Sequence, residues 1–170
     1  MSIYYQRADL SINPITPLRL QALAQLSLAP EQAGFVESVD ECLAEAQQDK
    51  RYVPAALSID SQVIGFAMYG LFDEDYGPRV WFDRYFIGAQ FQGQGYGRAF
   101  ASLMLDYLYD FYQCDNIYLS VYSHNHGAIK LYQSLGFELN GELDCNGEQV
   151  MVTKRGALDN GAASINTTSY

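Results

Sequence analysis

A polar loop with alternating glycines is the part of this sequence best suited to chemistry. Residues 92–98 read QGQGYGR; an aromatic and β-branched run ends before them at Ile87, and a helical apolar pattern follows from Phe100. The first N–H groups of a helix lack intrahelical partners and lie at the positive end of its dipole, so they bind anions. Glycine lets that backbone approach a phosphate closely. The loop therefore predicts an anion site, although a strand-to-helix turn that needs glycine only for its backbone angles explains a glycine cluster equally well.

Two common phosphate-binding motifs do not fit this loop. A Walker loop requires Gly-Lys followed by Ser or Thr, and neither tripeptide occurs in the sequence. The dinucleotide fingerprint G-x-G-x-x-G requires a third glycine where Arg98 stands, and it follows the first strand of a βαβ unit rather than a series of strands. The pattern that remains is Gln92-x-x-Gly95-x-Gly97 ahead of a helix.

Size and charge narrow the class of protein. The 170 residues are 49% apolar, which suits one globular domain, and no apolar run approaches the ~20 residues of a membrane span. With 20 acidic against 10 basic residues, the formal charge of −10 argues against nucleic-acid binding and favours a cationic partner, unless it serves only solubility. The first residues lack the pattern of a secretory signal, and Cys42, Cys114 and Cys145 are widely spaced. We therefore expect reduced thiols in a cytoplasmic protein.

Apolar periodicity places the elements around the loop. We expect a mixed α/β (α+β) domain over residues 1–154 and a polar tail over residues 155–170. The predicted strands cover residues 3–8, 53–59, 62–72, 79–87, 116–122, 137–143 and 148–153. The predicted helices cover residues 18–26, 35–48, 100–111 and 125–135, with a turn between Pro14 and Pro17 and an acidic turn at residues 73–78. Gly65 and Gly70, inside one strand, indicate a bulge or a close backbone approach.

A second segment carries a resemblance to a known family. Residues 125–132 read NHGAIKLY and precede Gly136-Phe137, one helix and one strand after the glycine loop. Together the two segments resemble the pyrophosphate loop, Q/R-x-x-G-x-G/A, and the N-x-x-A-x-x-[LF]-Y…G-F segment of the GCN5-related N-acetyltransferases (the GNAT family). The stretches GFAMYG from Gly65, WFDRYFI from Trp81 and NGELDCNGE from Asn140 are similar to those of its bacterial spermine/spermidine (diamine) members.

The resemblance implies where acetyl-CoA binds. A mixed, mostly antiparallel sheet with helices on both faces would splay between its fourth and fifth strands, which end near Ile87 and Tyr122, and acetyl-CoA would lie in that split. Backbone N–H groups of the loop would hold the pyrophosphate, with Arg98 adding charge. Lys130 would add to it, unless it is simply a solvated helix lysine. The residues expected to contact acetyl-CoA are Phe86, Ile87, Gln92, Gly93, Gln94, Gly95, Tyr96, Gly97, Arg98, Asn125 and Lys130.

Three of these residues have implied roles beside the thioester arm. By the same resemblance, backbone groups of Phe86 and Ile87 would pair with the pantetheine arm, and one of their N–H groups would polarise the thioester carbonyl. Asn125 would either cap its helix or bond the arm, and its residue type suits both roles equally.

Two residues are candidates for the proton transfers of acetyl transfer to an amine. From its helix position alone, Tyr132 reads as a core aromatic. Its place in the matched segment makes it the expected general acid, because a phenol is protonated at neutral pH and can donate to a departing thiolate. A protonated amine needs a base. Strand alternation predicts that Asp83 shares a face with Trp81, Tyr85 and Ile87, and if that face meets the cleft, Asp83 could orient or deprotonate the amine. An ordinary ion pair explains Asp83 equally well.

Further polar residues could hold the remaining charges of a polycation. The expected substrate-binding residues are Glu37, Tyr69, Glu74, Asp75 and Glu142, and solvated surface positions explain the carboxylates among them more simply. His124 and His126 flank Asn125 without a third ligand nearby, so we expect no metal site.

The sequence thus predicts an acetyl-CoA-dependent N-acetyltransferase. It would acetylate a primary amine of a polyamine, spermidine or spermine, by direct transfer in a ternary complex. The expected partner is a small cationic amine, with neither nucleic acid nor membrane as a partner, and homodimerisation stays open. Two alternatives remain: the same fold acting on a protein N-terminus, an amino acid or an aminoglycoside, and a non-catalytic acyl-CoA-binding module.

Overall fold

A single eight-stranded sheet organises the computed structural model, which describes residues 2–30 and 37–157. Its strands are β1 (Tyr5–Arg7), β2 (Leu10–Pro14), β3 (Tyr52–Ile59), β4 (Gln62–Glu74), β5 (Gly77–Ile87), β6 (Asn116–Val121), β7 (Glu138–Leu143) and β8 (Gln149–Lys154). The helices are α1 (Pro17–Ala24), α2 (Val39–Gln48), α3 (Tyr96–Tyr112) and α4 (His126–Ser134), with a 3-10 turn at Ala89–Phe91. The predicted mixed α/β class is confirmed. The predicted domain boundary at residue 154 stays a prediction, since residues 158–170 lie outside the described ranges.

The sheet opens between two strands near its middle. Its order is β1-β2-β3-β4-β5-β6-β8-β7, and every neighbouring pair is antiparallel except β5 with β6. That parallel pair is joined only at Val80 with Ile117 and Trp81 with Tyr118. Beyond these two pairs β5 continues to Ile87 without β6 beside it, so its outer edge is left open. The predicted splay between the strands ending near Ile87 and Tyr122 is confirmed.

Several element boundaries differ from the prediction. The segment predicted as one strand over 3–8 is the start of a hairpin, because the chain turns at Ala8 with a φ of 53° and returns as β2. Pro14 is the last residue of that strand and does not open a turn, because a proline can be accommodated at the end of a strand. Strand β4 extends through Asp73 and Glu74, so the acidic turn shrinks to its exposed tip.

The second helix begins later than predicted. A capping box starts it at Val39: the Ser38 hydroxyl accepts the N–H of Glu41, and the Glu41 carboxylate accepts the N–H of Ser38. Phe35, which the sequence pattern assigns to this helix, lies outside the described residues.

Two apolar layers cover the two faces of the sheet. Helix α3 packs on one face through the apolar residues Phe100, Leu103, Met104, Tyr107 and Leu108, which recur at helical spacing, while Phe111 is 61% exposed. Helices α1 and α2 cover the other face, where Leu23, Cys42 and Phe66 are buried. Cys42 of α2 is 1% exposed and fills space in this apolar layer. Among residues 2–30 and 37–157, no helix is long and apolar enough to cross a bilayer.

A β-bulge at Asp83 changes which side chains of β5 face which layer. Met68 of β4 pairs with Arg84 and Tyr69 pairs with Phe82, which leaves Asp83 as the extra residue. After the bulge, Tyr85 packs in the same layer as Phe82, under α3. The prediction that Asp83 shares a face with Tyr85 and Ile87 is therefore wrong, because the extra residue reverses the alternation on which it rested.

The predicted close approach at the two strand glycines is confirmed. A Cβ on Gly65 would lie 2.6 Å from the carbonyl oxygen of Phe86, and one on Gly70 would lie 2.5 Å from that of Arg51. Glycine at residue 65 therefore lets β4 lie directly against the end of β5, the segment that borders the open edge of the sheet.

Candidate active site

The opening between β5 and β6 holds a cavity of about 400 Å³. Its lining comes from both faces of the sheet and falls into two groups. The loop side, on the face of α3, consists of Tyr85, Ile87, Gln92, Gly93, Gly97, Val121, Asn125, Gly127, Ala128, Leu131 and Tyr132. The carboxylate side, on the opposite face, consists of Asp83, Arg84, Phe86, Ser120, Tyr122 and Glu148. A ligand in this cavity can therefore contact helix starts at one end and carboxylates at the other.

The glycine loop leads into an uncapped helix start. Gly95 is the N-cap of α3, with a φ of 86°; it has no side chain to cap the helix, and the first turn carries no acidic residue. The N–H groups of that turn are therefore available to an anion. Gly93 and Gly95 have left-handed backbone angles, which favour glycine for conformational reasons.

Gly97 distinguishes between the two interpretations of this loop, an anion site and a purely structural turn. It has no left-handed φ, and a Cβ placed on it would meet no atom within 4 Å. Neither backbone strain nor packing thus requires glycine there. Gly97 lines the cavity, so its missing side chain leaves room for a ligand directly over the first turn of α3. This observation favours an anion site over a purely structural turn.

The end of β5 presents one residue's backbone to the cavity. The N–H of Gly88 donates to the Ile64 carbonyl of β4 over 2.8 Å, so the preceding residue's N–H and C=O point away from β4. In agreement, the Ile87 carbonyl accepts a hydrogen bond of 2.8 Å from Gln92 Nε2 across the open edge. Of the predicted pair Phe86 and Ile87, it is Ile87 whose N–H faces the cavity, while the backbone groups of Phe86 face β4.

Asn125 acts as a helix cap and also borders the cavity. Its Oδ1 accepts the N–H of Ala128 over 3.3 Å at the start of α4. The cap is therefore formed, and Asn125 still lies on the loop side. Among the other residues predicted to contact acetyl-CoA, Gln94, Gly95, Tyr96, Arg98 and Lys130 do not line the cavity, and Arg98 and Lys130 are exposed.

Tyr132 reaches the cavity from α4. Its ring packs edge-on against Phe137, with ring centroids 5.8 Å apart, and burial raises the pKa of its hydroxyl above the ordinary 10. The phenol is thus protonated at neutral pH. Tyr85 lies beside it, and the Tyr85 hydroxyl donates to the carbonyl oxygen of Gly97.

Asp83 is held in a network of charges on the carboxylate side. It forms an ion pair with Arg84, whose guanidinium also pairs with Glu37 and with Glu45, the latter at 3.2 Å. Burial raises the pKa of Asp83 to about 6; Arg84 opposes this shift, and Glu45 and Glu37 reinforce it. The ion-pair reading of Asp83 is therefore confirmed, and the residue also lines the cavity.

Glu148 is a cavity residue that the sequence analysis missed. It follows the hairpin turn between β7 and β8, and β8 pairs with β6 so that Gln149 lies opposite Val121. The half-buried carboxylate lies near the hydroxyls of Ser120 and Tyr122; burial raises its pKa, and the two hydroxyls oppose that rise. The Asn-Gly pattern indicated the turn, but the pairing of β8 with β6 is a long-range feature without a local signal.

Four predicted substrate-binding residues lie away from the cavity. Tyr69 is 1% exposed and its hydroxyl lies 2.8 Å from that of Tyr107, so its predicted place in a substrate channel is wrong: the regular alternation of β4 places it with Ala67 in the core under α3. Glu74 and Glu142 both pair with Arg79 near the start of β5, at 3.5 and 3.1 Å. Asp75 is exposed at the β4–β5 turn. Because these carboxylates belong to the opposite end of β5, they do not reach the cavity.

Comparison with known proteins identifies the family. Residues 20–137 match the model of the acetyltransferase (GNAT) family. The chain is 42% identical over 148 residues to the spermine/spermidine N(1)-acetyltransferase of Bacillus subtilis (strain 168), a match that covers 85% of this chain and 97% of that protein.

Solved structures show the same fold. The chain matches a spermidine N-acetyltransferase from Vibrio cholerae in complex with CoA and spermine with a TM-score of 0.68 and 19% identity, covering 91% of this chain and all of that one. It matches the PaiA N-acetyltransferase of Thermoplasma acidophilum in complex with coenzyme A with a TM-score of 0.61 and 15% identity, covering 85% and 98% of the two chains. This chain belongs to the GNAT family of acetyltransferases, whose members use acetyl-CoA.

Proposed function

We propose that this protein transfers the acetyl group of acetyl-CoA to a primary amine of a polyamine, spermidine or spermine. The observation that carries the proposal is the cavity itself, which joins an anion-binding helix start to a group of carboxylates through the split sheet. Such a cavity suits a polyanionic donor at one end and a cationic acceptor at the other. The 42% identity to a protein named spermine/spermidine N(1)-acetyltransferase supports the same acceptor class.

The donor would bind along the loop side. The N–H groups of residues 92–98 and the dipole of α3 would hold the pyrophosphate, with the exposed Arg98 and Lys130 adding positive charge at the rim. The pantetheine arm would follow the open edge of β5. The N–H of Ile87 would donate to the thioester carbonyl oxygen and stabilise the oxyanion that forms there.

The acetyl transfer would be direct. The acceptor ammonium gives one proton to a base, and the resulting lone pair forms an N–C bond to the thioester carbonyl carbon. The C–S bond then breaks, Tyr132 gives a proton to the sulfur, and the second proton of the nitrogen replaces it. One proton is released per turnover, and no acyl-enzyme forms.

Tyr132 is the proposed acid despite the raised pKa of its hydroxyl. Desolvation raises the pKa of a phenol because it disfavours the phenolate. A thiolate leaving in the same enclosed cavity is desolvated too, so its pKa rises in the same direction. The difference between the pKa of the Tyr132 phenol and that of the leaving thiol therefore stays closer to its value in water than the raised pKa of the phenol alone suggests.

The role of Asp83 in orienting or deprotonating the amine stays a prediction. Its lining of the cavity and a pKa of about 6 support that role, because a base of such pKa is ionised at neutral pH and can still take up a proton. Its ion pair with Arg84 fixes the position of the carboxylate.

Acetyl-CoA consumption with a panel of amines tests the proposal. Thiol release would be measured with spermidine, spermine, an aminoglycoside, an amino acid and a peptide with a free N-terminus. We expect turnover with the two polyamines and little with the others. Turnover confined to the peptide, the amino acid or the aminoglycoside would reject the polyamine acceptor, and CoA binding without turnover on any amine would reject the enzyme.

We also propose that the protein is located in the cytoplasm. Cys42, Cys114 and Cys145 are all free thiols in the structure, as suits a reducing compartment. Fractionation of the producing cells would test the location, and recovery of the protein outside the cytoplasm would contradict it.

A further inference from the structure

Glu148 is held at the cavity wall by its own turn. The carboxylate Oδ1 of Asp144 accepts the N–H of Asn146 over 2.9 Å and that of Glu148 over 2.8 Å. The Asp144 N–H donates to the Glu148 carbonyl over 2.9 Å, and Gly147 completes the turn with a φ of 78°. The backbone of Glu148 is therefore fixed before any ligand arrives, which lowers the entropy cost of using its side chain for binding.

The surroundings of this carboxylate are polar but not cationic. The hydroxyls of Ser120 and Tyr122 lie near it, and the charged groups that act on it include Asp144, Glu37 and Asp83, all acidic. Among the described residues it forms no salt bridge. A half-buried carboxylate that forms no ion pair and has like charges around it gains strongly from a cation placed against it.

Asp83 differs from Glu148 on this point. The Arg84 guanidinium neutralises Asp83 directly and repels a second cation, whereas Glu148 has no such neighbour in the described structure. The two carboxylates line the same cavity from opposite sides of the opening, one on β5 and one beside β6. An ammonium group in the cavity therefore has its most favourable contact at Glu148.

We propose that Glu148 binds the ammonium group of the acceptor amine and so selects cationic primary amines at the cavity. This role rests on the proposed acetyl transfer to an amine and adds a residue to it: Glu148 holds the acceptor, and Asp83 remains the candidate for the proton. Replacement of Glu148 should raise the KM for the amine, and replacement of Asp83 should lower kcat.

The test compares Glu148→Gln with Glu138→Gln in the full chain. Glutamine keeps the length of the side chain and its hydrogen-bonding capacity while removing the charge. Glu138 is an exposed residue of β7 outside the cavity, so its replacement changes the net charge equally. The measurements are kcat and KM for spermidine and for acetyl-CoA, and the Kd of spermidine for the CoA-loaded protein by calorimetry.

We expect Glu148→Gln to raise the KM and the Kd for spermidine at least tenfold and to leave the KM for acetyl-CoA within about twofold. Glu138→Gln should change neither, and Glu148→Asp should recover part of the affinity. Equal spermidine Kd values in wild type and Glu148→Gln would overturn the proposal, whether or not the wild type is active. A wild type that binds spermidine through Glu148 but acetylates no amine would reject the proposed function and keep the binding role.

Discussion

The hydroxyl of Tyr85 lies 2.5 Å from the carbonyl oxygen of Gly97 and joins strand β5 to the first turn of α3. The strand carries the Ile87 N–H proposed for the thioester, and the helix start carries the N–H groups proposed for the pyrophosphate. This hydrogen bond therefore sets the spacing between two contacts that one acetyl-CoA molecule must make at once. Burial of the phenol keeps it protonated, so the bond persists across the physiological pH range.

Tyr85→Phe should weaken acetyl-CoA binding more than it slows the transfer. The ring still fills its place, but the tie between β5 and α3 is lost at a cost of about 1 kcal/mol. We expect the KM for acetyl-CoA to rise about fivefold with kcat at saturation nearly kept, as steady-state kinetics would measure. Tyr76→Phe, at a side chain that is 89% exposed, is the control. A fall in kcat alone would argue against the positioning role.

Tyr132→Phe should lower kcat at least tenfold while the Kd for CoA holds, because the ring stays and the transferable proton goes. Turnover at saturating acetyl-CoA and calorimetric CoA binding are the two measurements. An unchanged kcat would leave Tyr132 as a packing residue that contacts Phe137.

Gly97→Ala should stabilise the protein and weaken CoA binding at the same time. Alanine is favoured over glycine in a helix by about 0.5–1 kcal/mol, and the added Cβ meets no protein atom within 4 Å. It would, however, occupy the space over the first turn of α3. Thermal unfolding without ligand and CoA titration would show the two opposite effects; equal CoA affinity would mean that no ligand lies there.

Gly95→Ala provides the contrast. Its φ of 86° is a left-handed conformation that alanine rarely adopts. We expect a loss of roughly 1–2 kcal/mol of unfolding free energy in denaturant titrations, opposite in sign to Gly97→Ala. A gain in stability would show that the loop reaches another conformation.

The pH profile should reveal Asp83. The value of kcat/KM for spermidine should rise through about pH 6 as its carboxyl ionises, and Asp83→Asn should remove that rise. The contribution of Asp83 to folding stability changes in the opposite direction with pH. The pKa in the folded protein lies above the ordinary 3.8, so this group favours the fold below pH 3.8 and loses that contribution as the pH rises through about 6. An acid limb unaltered in Asp83→Asn would assign it to another group.

Short-range patterns in the sequence were sufficient to predict the main elements of the loop side of the cavity. The glycine loop and the segment with Asn125 and Tyr132 each combine a helix start with specific neighbours in the chain. Such features depend on residues only a few positions apart, so periodicity and capping rules locate them. The family resemblance then related the two segments to one split sheet.

The composition of the carboxylate side of the cavity depends on pairings between strands that are distant in the sequence. The bulge that turns Asp83 toward Arg84 is a matter of register between β4 and β5, and Arg79 draws Glu74 and Glu142 to the far end of β5. The pairing of β8 with β6 brings Glu148 to the cavity.

The sequence by itself determined the order of the elements apart from β2, the position of the predicted anion-binding loop and the candidate acid Tyr132. Only the tertiary structure decided which carboxylates meet the cavity. The physical reason is that a one-residue change of register moves every following side chain to the other face of a sheet, while the local sequence around it stays the same.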